Sequence, residues 1–160
     1  MKNFFTLFSL PQIFAIDLTD LEKKYLTFQT KFHPDKSSSD DISKSIEVNE
    51  AYKILSDDFL RASHLLQLKN IDILHDEKAV KVDQATLFEI LELQEKISEL
   101  SDKNEIDALR KEINSRVKIL ILEAIQALEC TEIAACAQML VKVKYLKKSL
   151  EDLKIRKQKL

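Results

Sequence analysis

The stretch Phe32-His33-Pro34-Asp35-Lys36-Ser37-Ser38-Ser39-Asp40-Asp41 decides how the first half of this chain is read. A helix-period pattern runs up to Phe32, a polar break follows, and a second helical pattern starts near Asp41. Pro34 fixes its own φ, lacks an N–H and pushes His33 away from helical geometry. Asp35 is then carried on a stiff corner. Taken alone, the tripeptide is a helix stop followed by a serine-rich loop. Between two amphipathic helices close to the N-terminus, it is an exposed corner of a helical hairpin.

The flanks supply those helices. Thr19-Asp20-Leu21-Glu22 has the form of a capping box, with Thr19 at the cap. Leu21, Tyr25, Phe28 and Phe32 follow at steps of four, three and four and share one stripe. Lys24, Thr27 and Lys31 lie on another face. Such a face is ordinarily solvated surface, but beside an exposed aspartate it also suits an acidic partner. After the corner, Asp40 or Asp41 is placed to cap a helix whose Val48, Ala51, Tyr52 and Leu55 face the first stripe. Asp57 or Asp58 caps a further helix carrying Phe59, Ala62, Leu65 and Leu66. Upstream, Phe4, Phe5, Leu7, Phe8 and Leu10 form a short apolar helix ended by Pro11. This setting resembles a J domain, the module by which DnaJ-type co-chaperones engage DnaK-class ATPases.

Composition narrows the rest. The 160 residues hold one ordinary domain or two small ones. There is no glycine and there are only two prolines. Tight hairpins and phosphate-cradling loops lean on glycine, so an all-α protein is the reading. The formal charge of −2 gives no net basic field to draw the chain to nucleic acid or an anionic membrane. No apolar run approaches the ~20 residues that span a bilayer. The start is too short and interrupted for a secretion signal, and a cytosolic location is expected. Cys130 and Cys136 fall in one helical pattern pointing ~120° apart, which suits buried small side chains rather than a bond or a metal pair.

From Asp83 the pattern changes. Ile90, Leu93, Ile97 and Leu100 form one stripe. Ile106, Leu109, Ile113, Val117, Leu120, Ala124 and Leu128 form a second, and Met139, Val143, Leu146, Leu150 and Leu153 a third. Polar breaks at Ser101-Asp102-Lys103-Asn104 and near Glu129-Cys130-Thr131 separate them. Short connections favour antiparallel neighbours, so this half reads as a three-helix bundle. The predicted organisation is residues 1–75, a linker over 76–83, and a bundle over 84–160.

The first helix of that bundle has more apolar surface than one core contact uses. Leu87, Phe88 and Leu91 lie opposite Ile90, Leu93 and Ile97, with Glu92 and Glu95 beside them. One stripe packs inward, and the other is covered within the molecule or offered as apolar anchors with an acidic rim. The pattern leaves the choice open. Tyr145 stands off its helix's stripe among Lys144, Lys147 and Lys148. His33, His64 and His75 are scattered without metal-ligand spacing, and His64 reads as a boundary histidine. No convergent acid–base set is visible, and an enzyme is not expected.

Over nearly its whole length the chain resembles the HscB family, the J-domain co-chaperones of bacterial iron–sulfur cluster assembly. Asn3-Phe4-Phe5-Thr6-Leu7-Phe8-Ser9-Leu10-Pro11 is similar to the family's start. Phe59-Leu60-Arg61-Ala62-Ser63-His64-Leu65-Leu66 resembles the segment after its third helix. Leu87-Phe88-Glu89-Ile90-Leu91-Glu92-Leu93-Gln94-Glu95 resembles its scaffold-binding helix. The resemblance implies an N-terminal J domain plus a C-terminal three-helix scaffold-binding domain, a DnaK-class partner chaperone (HscA), the cluster scaffold IscU as cargo, and no cofactor. It implies that His33, Pro34 and Asp35 contact the chaperone, helped by Lys24 and Lys31. Leu87, Phe88, Leu91, Glu92, Glu95 and Tyr145 match the scaffold-binding positions, with Phe88 and Tyr145 departing from the residues expected there. The lack of an N-terminal cysteine-bearing extension points to a bacterial-type, cytoplasmic member. The alternatives are a J-domain adaptor for a different client and a purely structural helical protein.

Overall fold

The computed structural model describes residues 2–31, 39–75 and 80–160. Phe32, His33, Pro34 and Asp35 lie outside the described residues, as do residues 76–79 of the expected linker. Among the described residues all regular structure is helical: α1 Phe4–Leu7, α2 Leu18–Lys31, α3 Ser39–Ser56, α4 Asp58–Gln67, α5 Gln84–Glu99, α6 Lys103–Glu129 and α7 Ile133–Gln158. The chain divides into two compact units, Met1–Asn70 and Ile71–Leu160.

In the first unit, α2 and α3 pack on the stripes that the sequence marks. Leu21, Val48, Ala51 and Leu55 are buried, and the Tyr25 and Tyr52 rings stack with centroids 4.0 Å apart. The expected cap at Thr19 is displaced. Asp17 Oδ1 accepts from the Thr19 and Asp20 backbone N–H groups at 2.8 and 3.2 Å, so the helix starts earlier. One carboxylate thereby satisfies two of the donors that a helix start leaves without partners. Asp40 and Asp41 lie within α3 rather than ahead of it. Asp57 does cap α4, accepting from Leu60 N–H at 2.8 Å. Arg61 is buried: its Nε donates to Phe14 O at 2.9 Å, its guanidinium pairs with Asp58, and it lies 4.6 Å from the Phe14 ring centroid.

The apolar N-terminal segment is pinned as expected, with Phe4, Phe5 and Phe8 buried, but its helix ends at Leu7 with Phe8 as the C-cap rather than at Pro11. His64 is not a boundary residue. It is 2% exposed, and its Nε2 accepts the Phe4 backbone N–H at 3.2 Å. That bond leaves Nδ1 as the protonated nitrogen, 3.2 Å from Gln67 Oε1. The Phe4 and Phe5 rings stack on the imidazole at 4.8 and 5.8 Å. Burial holds the His64 pKa below its ordinary value, against the opposing hydrogen bond to Gln67.

In the second unit α5, α6 and α7 form a three-helix arrangement. Glu89 meets Lys142, and further along both helices Gln94 meets Ser149 and Asp152, so α5 and α7 run parallel. Asp107 meets Lys157 at 2.6 Å while Arg116 reaches the Glu89–Lys142 level, so α6 runs antiparallel to both. The α6–α7 turn is a Schellman cap: Glu132 N–H donates to Ala127 O, and Thr131 N–H to Leu128 O. Thr131 takes the left-handed position, φ 64°, which glycine usually occupies.

The stripes drift from their expected positions. On α6, Ile121, Ile125 and Ala127 are buried, whereas Leu120 and Leu128 are half-buried. On α7, Leu140 and Ser149 are fully buried while Met139 and Leu150 are half-exposed. The reason is that α7 packs against both α6 and α5, so it buries more than one stripe. Small buried residues near the turn (Ala127, Cys136, Ala137) let α6 and α7 approach closely there. The cysteines do not share a helix. Cys136 is buried on α7, with its thiol pushed up to about 11 by desolvation, but Cys130 is exposed at the α6 C-cap.

Candidate docking site

Asp83 starts α5. Its carboxylate accepts from the Thr86 backbone N–H and hydroxyl, both at 2.8 Å, and these bonds hold its pKa below the ordinary aspartate value. The helix then turns Thr86, Ile97 and the following Leu100 inward. Phase follows from those anchors. At ~100° per residue, Leu87, Phe88 and Leu91 must point away from the bundle. They are 43%, 66% and 60% exposed. Of the two stripes left open by the sequence, this is the outward one. Glu92 and Glu95 are exposed on the same helix.

Tyr145 comes from the neighbouring helix to the same level. Gln94 Nε2 donates to Ser149 Oγ at 3.0 Å, and Ser149 Oγ in turn donates to Tyr145 O, one turn earlier. Leu91 and Leu87 lie three and seven residues before Gln94 on its side of α5. Since α5 and α7 are parallel, half-buried Tyr145 stands beside the Leu87–Leu91 edge. Next to it a cleft of about 470 Å³ is lined by Ile73, Val82, Val141, Lys144, Tyr145 and Lys148, with Lys144 Nζ donating to Ile73 O at 2.9 Å. The structure therefore brings Leu87, Leu91 and Tyr145 to one edge, with Phe88 and Glu95 further round the exposed side of α5 and Lys144 and Lys148 along α7. Glu92 instead lies on the α6 side, in the cleft lined by Leu93, Lys96, Leu109 and Arg116. An apolar centre with polar edges is the usual anatomy of a protein-docking surface.

The other expected set is only partly described. Lys24 is held by Asp20 at 2.7 Å and donates to Ser9 O at 3.3 Å, while Lys31 is exposed at the end of α2. Among the described residues no group of three or more His, Cys, Asp or Glu is placed to hold a metal ion, and no helix is long and apolar enough to cross a membrane.

Residues 82–154 match the family described as the HSCB C-terminal oligomerisation domain. A co-chaperone protein HscB homolog of Psychromonas ingrahamii is 33% identical over an aligned length of 167 residues, covering 99% of this chain and 98% of its own. The chain belongs to the HscB co-chaperone family. An HscB homolog of Acinetobacter baumannii is 37% identical over 123 residues, covering 76% of this chain and 70% of its own. Among solved structures, the chaperone HscB from Vibrio cholerae superposes with a TM-score of 0.83 at 25% identity, covering 99% of each chain. Human co-chaperone protein HscB superposes at 0.87 with 24% identity, covering all of this chain and 84% of its own. The HscB fold is all-α, with an N-terminal J domain and a helical C-terminal domain, as the sequence predicts. The relatives are named as chaperones or co-chaperones rather than as enzymes.

Sequence reasoning missed the polar ties beneath α5. Glu89 is clasped by Arg116 of α6 and by Lys142 of α7, the latter at 2.5 Å. Burial alone would raise its carboxyl, but the Lys142 and Arg116 bonds outweigh that and hold the pKa below the ordinary glutamate value. Residues 27 and 53 positions apart from Glu89 leave no periodic signal. The one clue was a charged residue flanked by the inward-facing Thr86, Ile90 and Leu93.

Proposed function

We propose that this chain is a two-headed co-chaperone adaptor for iron–sulfur cluster assembly. Residues 1–75 form the J domain, 76–83 the linker and 84–160 the cargo-binding domain. His33, Pro34 and Asp35, with Lys24 and Lys31, engage a DnaK-class chaperone of the HscA kind and stimulate its ATP hydrolysis. Leu87, Phe88, Leu91, Glu92, Glu95 and Tyr145 hold a scaffold protein of the IscU kind. No cofactor is needed, and the bacterial-type cytoplasm is the setting.

The observation that carries this reading is the outward Leu87–Phe88–Leu91 ridge with Tyr145 level beside it. Each such side chain contributes roughly 1.5–3 kcal/mol when fully covered, so three or four anchors suffice for a specific complex. Joining the heads makes the second encounter intramolecular, so scaffold capture and ATP hydrolysis coincide without any new contact. Titrating purified scaffold into this chain by calorimetry tests the cargo head. Saturable binding that the Phe88→Ala/Leu91→Ala variant loses, with its melting temperature unchanged, is expected. Recovery of the chaperone but no scaffold binding at all would favour an adaptor for a different client.

A further inference from the structure

The docking helix is held along its middle by half-buried Ile90 and Leu93 together with polar ties. Between Thr86 and Ile97 no α5 side chain is fully buried. The backbones of α5 and α6 scarcely approach each other, and clefts of about 190 and 360 Å³ lie along their seam. Both ends are firmly fixed. Asp83 caps the start, and at the far end Ile97 and Leu100 are buried while Arg156 Nε donates to Leu100 O at 2.8 Å. In the middle, where Ile90 and Leu93 are only half-buried, two polar attachments add to them. Gln94 donates to Ser149 Oγ and Asp152 Oδ2, at 3.0 and 3.2 Å. Glu89 lies between Arg116 of α6 and Lys142 of α7, with its Oε1 buried.

We propose that Glu89 is a positioning residue for cargo docking: its two-sided ion clasp sets the rotation and height at which α5 presents Leu87, Phe88 and Leu91. The inference rests on the cargo-binding reading above and adds how the ridge is aimed. Apolar contact is non-directional and would let a thinly packed helix roll or slide. Ion pairs act at short range, and two of them from two different helices hold the carboxylate from both sides and so oppose both motions. Glu89 follows Phe88 directly and precedes Leu91 by two residues, so any roll of α5 about this point re-aims both anchors.

The alternative is that the clasp serves stability alone, and the two roles separate on one variant. Replacing a part-buried ion cluster with apolar residues of similar volume is often neutral or stabilising. The variant Glu89→Leu/Arg116→Met/Lys142→Met therefore keeps its helicity and melting temperature while freeing α5 to roll. Scaffold of the IscU kind is titrated calorimetrically into the wild-type chain, this variant, the Leu87→Ala/Phe88→Ala/Leu91→Ala variant, and the two sets combined. The clasp variant is expected to bind roughly tenfold more weakly, with no further loss when added to the alanine set, because the clasp acts through the ridge. Undiminished affinity in a folded clasp variant overturns the proposal, as does full additivity, which would mean that the charges touch the cargo themselves. No binding by the wild-type chain is a different failure, and it removes the cargo reading itself. Should the triple replacement not fold, Glu89→Gln gives the same comparison, with the same outcomes deciding.

Discussion

Gln94 on α5 lies opposite Ser149 on α7, its side-chain amide donating to the buried serine hydroxyl at 3.0 Å. That bond marks the register of two parallel helices, in which Tyr145 is about level with Leu91 and within a turn of Leu87. It also separates two neighbours on α7. Tyr145 is half-buried at the edge of the docking face, whereas Leu146 is fully buried.

Neighbouring substitutions on α7 should therefore do opposite things. Tyr145→Ala is expected to weaken scaffold binding roughly tenfold with little change in stability. Leu146→Ala is expected to destabilise by roughly 2–5 kcal/mol, as truncation at a closed core position does. Denaturant melts run beside calorimetric titrations distinguish them. Equal loss of stability in both variants would make Tyr145 part of the core.

His64 makes the first unit sensitive to acid. Its folded pKa lies below the ordinary 6.5 because burial disfavours the charged ring, against the opposing hydrogen bond to Gln67. Below pH 6.5 the unfolded chain takes up a proton there that the folded chain resists, so stability falls as pH drops through this window. The contribution is fully present above it. Thermal melts between pH 8 and pH 5 should show that slope in the wild type and a shallower one in His64→Gln. Identical slopes would deny His64 the role. Glu89, with its pKa depressed from 4.5, adds its loss only at lower pH, as it protonates.

Thr131 bears a local conformational strain. It occupies a left-handed C′ position in a chain without glycine, and its branched Cβ makes that geometry costly. Thr131→Gly keeps both capping hydrogen bonds of the turn. It is expected to stabilise the second unit by roughly 1 kcal/mol, less the greater entropy glycine gives the unfolded chain. A lower melting temperature would show that the threonine side chain contributes something the turn needs.

Much of this was legible because it is periodic. The packed stripe residues Leu21, Val48, Ala51 and Leu55, the α5 start at Asp83 and the presence of two apolar stripes on α5 follow from spacing and caps. The outward phase of Leu87, Phe88 and Leu91, by contrast, is fixed only by the burial of Thr86, Ile97 and Leu100. The absence of glycine and the presence of only two prolines pointed to helices throughout. What was not legible depends on partners distant in sequence. The burial of His64 needs Phe4 from 60 residues earlier. The Glu89 clasp needs one residue from each of two other helices. The shifts to Ile121 and Leu140 arise because α7 is packed on two sides, which no single-helix pattern reports. Asp17 displaced Thr19 as a cap because both residues are good caps and the earlier one holds two donors.

The joining of the two heads is tested most directly by the rate of ATP hydrolysis of a DnaK-class chaperone, measured with this chain and scaffold both present. Two-headed delivery predicts that the wild-type chain stimulates hydrolysis and that scaffold raises it further. It also predicts that Asp35→Ala abolishes stimulation while scaffold binding persists. Stimulation by Asp35→Ala equal to that of the wild type would contradict it.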